Sequence, residues 1–227
     1  MKERGMIFNG EMVCAILDGR KTQTRRIMKV QPEPSKSRPG DFWFSSKKLE
    51  SMVHVSDLVP GNSPIADCHL FFQEHCCPFG AVGDRIWVRE TFTGHYLDDD
   101  QIQDIKDGRD KASDLCEYRA DYPDGYQAAD GWTPSIHMPR WASRILLEIT
   151  DVRVERLNAI SQEDAQAEGM ELTGWRPTYS DPDSGGEVCT PYDNFAQLWS
   201  SIYGEESWQG NPWVWVIEFK RIEGGEA

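Results

Sequence analysis

The segment Pro212 to Ile222, PWVWVIEFKRI, carries aromatic and β-branched residues on both faces of a period-two repeat. A strand of that composition has no face left for water, so it belongs at the centre of a sheet covered on both sides. Arg144 to Val154, RILLEITDVRV, reads as a second strand of this kind, apolar on nearly both faces in its first half. Gly80 to Thr93 supplies a third: a Gly-Asp turn leads into β-branched and aromatic residues from about Arg85, with Ile86, Val88 and Glu90 on one face.

Helices are short and few. Met12, Val13, Ile16 and Leu17 recur at helical spacing before Gly19, and Phe195, Leu198, Trp199 and Ile202 form an apolar stripe closed by Gly204. Ile160-Ser161 followed by Glu163 and Asp164 reads as a staple and N-cap for a structural helix ending at Gly169. Between these elements lie long insertions at about 30–80, 94–136 and 174–191, the second acidic and with Tyr118, Tyr122 and Tyr126 scattered through it. No Gly-rich phosphate loop and no regular strand-helix alternation argue for a doubly wound sheet. The expected fold is α+β, mainly β, built as one domain over residues 1–227, with the C-terminal strand closing a barrel.

The 227 residues, 39% hydrophobic, suffice for one sizeable core without disulfides. Summing 24 basic against 38 acidic side chains leaves −14, which argues against a protein that wraps long duplex by phosphate attraction. Any nucleic-acid contact must be local, and the cations do cluster: Lys21, Arg25, Arg26 and Lys29; Arg85 and Arg89; Arg140 and Arg144. Six unevenly spread cysteines and a charged first stretch, Met1 to Gly5, fit a reducing cytoplasm. No apolar run approaches the ~20 residues that span a bilayer, so no membrane partner is expected.

Chemistry concentrates in Gly19-Arg20-Lys21-Thr22-Gln23-Thr24-Arg25-Arg26. Gly19, Lys21, Thr24 and Arg26 fit the G-x-K-x-x-T-x-R signature of the ASCH family, and Gly83 to Glu90, GDRIWVRE, resembles that family's strand ending in an acidic residue. Later segments, His137 to Arg144 and Asn211 to Trp215, resemble ASCH proteins carried by bacteriophages and prophages. The resemblance spans most of the chain outside the insertions. It implies a PUA-like β-barrel with a cleft for RNA or a nucleoside. It also implies, as in some members, hydrolysis of the amide of N4-acetylcytidine by Lys21, Thr24 and Glu90; other members bind or cleave RNA.

From below, that chemistry is reasonable. A Thr hydroxyl is a poor nucleophile until a neighbouring base takes its proton, and a desolvated Lys21 with a lowered pKa is suited to do so. Burial of Glu90 favours the neutral acid that protonates a leaving amine. A salt bridge from Glu90 to Lys21 or Arg26 is the structural alternative. Arg26 is the cation expected on a phosphate or oxyanion, whereas Arg25 equally suits a solvent-facing position. Arg140 joins the substrate-binding set, and Trp87 and Trp141 offer stacking faces, although among nine tryptophans core packing is the safer reading of either. Asn211 before Pro212 reads as a turn starter. Cys68-His69 and His75-Cys76-Cys77 match no standard zinc spacing, and no metal or cofactor is expected. The partner is a nucleoside or a single-stranded or modified RNA base, turned over or only bound.

Overall fold

The computed structural model describes residues 1–62, 67–94, 96–171, 173–176 and 187–222, with 173–176 and 187–189 described by backbone alone. The elements begin β1 (Glu3–Ile7), α1 (Gly10–Leu17), β2 (Gln23–Ile27), β3 (Glu33–Pro34), β4 (Phe42–Ser46), β5 (Ser51–His54) and α2 (Cys68–Cys76). There follow β6 (Arg85–Arg89), β7 (Phe92–Thr93), α3 (Asp99–Lys106), α4 (Ala112–Leu115), β8 (Glu117–Tyr118) and β9 (Leu146–Arg156). The chain continues through α5 (Gln162–Ala167), β10 (Thr173–Arg176), β11 (Glu187–Cys189), α6 (Pro191–Tyr203), α7 (Glu205–Gln209) and β12 (Trp213–Arg221). The fold is α+β. The largest sheet has the neighbour order β1-β6-β9-β12-β2, which among the described residues is open at both ends.

Two compact units divide the chain. The first takes Met1–Gly19, Val82–Thr150 and Phe219–Ala227. In it β1 runs parallel to β6, and β6 antiparallel to β9 with Ile86 opposite Leu147. The predicted period-two face is present: Ile86, Val88, Leu147 and Ile149 are all buried. On the opposite face Trp87 lies across Gly5, where a Cβ would stand 2.6 Å from the indole, so only glycine leaves room for the ring. Helix α1 starts at Asn9, whose side chain accepts from Met12 N, and its chain reverses at Gly19 with φ +75°.

The insertion at 94–136 holds more structure than its acidic, turn-rich sequence suggests. Asp98 and Gln101 form a capping box on α3, and β8 pairs with β7. Tyr118 is core rather than decoration, buried with Phe92, Cys116, Met138 and Ala142, and its hydroxyl donates to the Ala142 carbonyl at 2.9 Å.

The second unit takes Arg20–Ala81 and Asp151–Glu218. Here β12 pairs antiparallel with β2, Val216 facing Arg25 and Ile217 facing Thr24. One sheet face gives Val214 and Val216 to a core with Leu157, Ile160, Ala165, Phe195 and Trp199, which brings α5 and α6 onto it. Ser161 caps α5 as expected, and a Thr190–Asp193 box with Pro191 at the first turn caps α6. On the other face Trp213 and Trp215 meet Phe42 and Phe44 edge-on. These phenylalanines lie on β4, centre of the three-stranded sheet β3-β4-β5, so the insertion at 30–80 is partly a packing layer. Its strands of two to five residues are too short to show periodicity in sequence. Of the insertion at 174–191, residues 177–186 lie outside the described residues. No described helix is long and apolar enough to cross a membrane.

Candidate functional site

The segment leading into β2 and the middle of that strand deliver Lys21 and Arg25 into a buried ionic layer of the second unit. The amine of Lys21, its side chain 0% exposed, donates to Glu168 Oε2 at 2.6 Å and to the Glu168 carbonyl at 2.9 Å. Glu168 occupies the C-cap of α5 and pairs with Lys21 through an isolated antiparallel bridge, fixing the contact through the backbone as well. Its other oxygen, Oε1, accepts from Arg25 at 3.2 Å. Arg25 reaches Asp164 Oδ2 at 3.1 Å and Glu155 Oε2 at 3.3 Å with its second terminal nitrogen.

Beside it, Arg153 donates to Glu155 at 2.5 Å and Asp164 at 3.0 Å, and also to Glu218. The amide of Gln23 spans the Asp164 carbonyl at 2.6 Å and Oδ1 at 3.2 Å. Gln23 and Arg25 share this face because strand side chains alternate; Thr24 and Arg26 point to the other. Arg25 is therefore buried rather than solvent-facing: alternation aims it at the carboxylates of α5 and β9. Thr24 is also buried, and Arg26 half-buried.

Burial pulls the Lys21 pKa below the ordinary lysine value; Glu168 opposes this by contact and charge, while Arg26 and Arg25 reinforce it. Asp164 resists burial: Arg25, Arg153 and the hydrogen bonds from Gln23 and Arg25 outweigh desolvation and hold it below the usual carboxylate range.

Glu90 belongs to the first unit and is 2% exposed. Its partner is neither Lys21 nor Arg26 but Arg144, which grips both oxygens at 2.9 and 3.0 Å. The same guanidinium holds Asp121 at 2.7 and 2.8 Å and lies 3.9 Å over the Tyr118 ring. Burial pushes the Glu90 pKa up against the pull of Arg144, and Asp121 adds to the rise. For Arg144 the hydrogen bonds and charges of both carboxylates outweigh burial, so the guanidinium stays charged.

The other expected substrate-binding residues are also in the first unit. Trp87 lies under Arg89 at 5.4 Å. Arg140 donates to Glu3 at 3.1 Å, and Trp141 packs against the Tyr118 core. Asn211 forms the expected turn, with φ +44° and its side-chain oxygen accepting from Asn158 N. Sequence reasoning missed Glu168, Asp164 and Arg153 as parts of an ionic layer. The one available signal was a helix carrying acids at both ends, Glu163-Asp164 and Glu168, where a C-terminal acid opposes the helix dipole and so needs a cation. No protein-family model, no curated protein and no solved structure matches this chain.

Proposed function

We propose that the chain is an ASCH-type protein with a PUA-like fold that acts on a nucleoside or RNA base, hydrolysing the amide of an acylated base such as N4-acetylcytidine. The observation that carries this reading is Lys21: a wholly buried amine whose ammonium form is penalised by desolvation, within the motif that also contains Thr24. In this mechanism a neutral Lys21 takes the proton of the Thr24 hydroxyl as Thr24 Oγ1 bonds to the acyl carbon, a step that requires the amine to leave Glu168, because Thr24 faces away from that side of β2. The C–N bond then breaks, the base nitrogen leaves with a proton from an acid, and water hydrolyses the acyl-threonine ester. Glu90 holds the acid role by resemblance alone, and its burial favours the protonated form. Arg26, Arg140, Trp87 and Trp141 are the proposed substrate-binding residues on the same basis.

A second reading, binding of RNA or a modified base without turnover, is favoured by the ion pairs. Glu168 stabilises the ammonium of Lys21, and Arg144 stabilises the carboxylate of Glu90, each the wrong protonation state for the chemistry above. The deciding experiment incubates N4-acetylcytidine with wild type and with folded Thr24→Ala, Lys21→Ala and Glu90→Gln variants, and follows cytidine by mass spectrometry. Cytidine from wild type alone supports hydrolysis. No cytidine from folded wild type, with saturable binding of single-stranded RNA or the nucleoside, replaces it with the binding reading.

A further inference from the structure

We infer that Glu168 is the positioning residue of Lys21, setting both the direction in which its amine points and the pH at which it gives up its proton. This rests on the reading of Lys21 as a base, and the observations behind it are geometric. Two oxygens of one residue, Oε2 at 2.6 Å and the main-chain carbonyl at 2.9 Å, hold the same nitrogen. The carboxylate is itself fixed by Arg25 at Oε1, and the backbones of residues 21 and 168 are bridged. Both side chains are buried, 0% and 3% exposed, so water contributes little to either position.

The charged groups acting on Lys21 are Glu168 from the end of α5 and Arg25 and Arg26 from β2. Asp164 and Glu155 meet Arg25 and act on Lys21 through it. Glu168 is the one group of the three that favours the ammonium; the two arginines oppose it. The carboxylate therefore opposes the loss of the proton that burial favours, and partial neutralisation of that carboxylate by Arg25 limits the effect. Against the larger effect of burial, the charge of one glutamate is the contribution that holds the proton on the lysine.

The test is titration of the Lys21 amine by NMR on protein carrying 15N at the lysine Nζ, assigned by loss of its signal in Lys21→Met. Replacing Glu168 by Gln keeps shape and removes charge, so the Lys21 midpoint should fall by about one to three pH units, the range for losing an opposite charge at contact distance. Glu168→Asp, which keeps the charge, should stay near wild type. The rising limb of the deacylation rate with pH should move down with the midpoint in Glu168→Gln. A purely structural glutamate would lower stability but leave the midpoint and limb in place, and that result would overturn the assignment. If Glu168→Gln does not fold, the wild type decides: the Glu168 13Cδ signal must shift with the Lys21 midpoint, and a Cδ signal blind to it overturns the assignment. Absence of deacylation with a shifted midpoint would remove the hydrolase reading and keep the positioning role.

Discussion

Lys21 and Glu168 are 147 residues apart in sequence, and their side chains meet at 2.6 Å with almost no exposure to solvent. The pair ties the start of β2 to the end of α5, so the segment with the richest chemistry in the sequence is anchored by a helix that looked purely structural. Removing one member of such a pair strands the other, because the desolvation cost remains while the attraction is lost.

Arg25→Ala should be among the most damaging substitutions in the second unit. It leaves Glu168 with Lys21 alone and strips a cation from Asp164 and Glu155. A loss of about 3–5 kcal/mol is expected from the urea midpoint. A loss under about 1 kcal/mol would mean water reaches the layer.

Acid should weaken the protein partly through Asp164. Its folded pKa is depressed below the ordinary 3.8, so its contribution is present above the unfolded value and is lost as pH falls through the folded one. Stability measured from pH 5 downward should therefore drop less steeply in Asp164→Asn than in wild type. Parallel curves would remove Asp164 from the acid response.

Gly5→Ala tests the packing of Trp87. The new methyl would sit 2.6 Å from the indole, forcing the ring or β1 to move, at about 1–3 kcal/mol. Thermal unfolding and the tryptophan emission spectrum should both change; an unaltered melting temperature would show that the ring has somewhere else to go.

Tyr118→Phe removes one buried hydroxyl, leaving the Ala142 carbonyl without that donor while the ring stays beneath Arg144. A loss of about 1 kcal/mol is expected by chemical denaturation. If the loss approaches that of a core truncation, the hydroxyl is holding more than one contact.

Much of the framework was legible because local rules and tertiary packing agree. The strands around Arg85–Arg89, Leu146–Arg156 and Trp213–Arg221 announce themselves by β-branched residues, and Ser161 caps its helix where a side-chain oxygen is needed. The sheet β3-β4-β5 was not legible, because its short strands are stabilised by Phe42 and Phe44 meeting tryptophans some 170 positions away, a fact no local window contains. At the candidate site, burial of Glu90 followed from period two, but its partner Arg144 did not: pairing of charges depends on which segments meet. The same holds for Arg25, whose fate depends on the carboxylates that α5 brings to its face of β2.

The ionic layer also acts as a check on alignment. Gln23 and Arg25 reach Asp164, Glu155 and Glu168 only while β2 keeps its register against β12. A slip by one residue would turn Thr24 and Arg26 toward α5 and bury the carboxylates with mismatched partners, whereas the apolar residues nearby would tolerate the error far better. Charge in this core therefore distinguishes the correct strand pairing from near-copies of it, a discrimination that greasy contacts alone would leave weak.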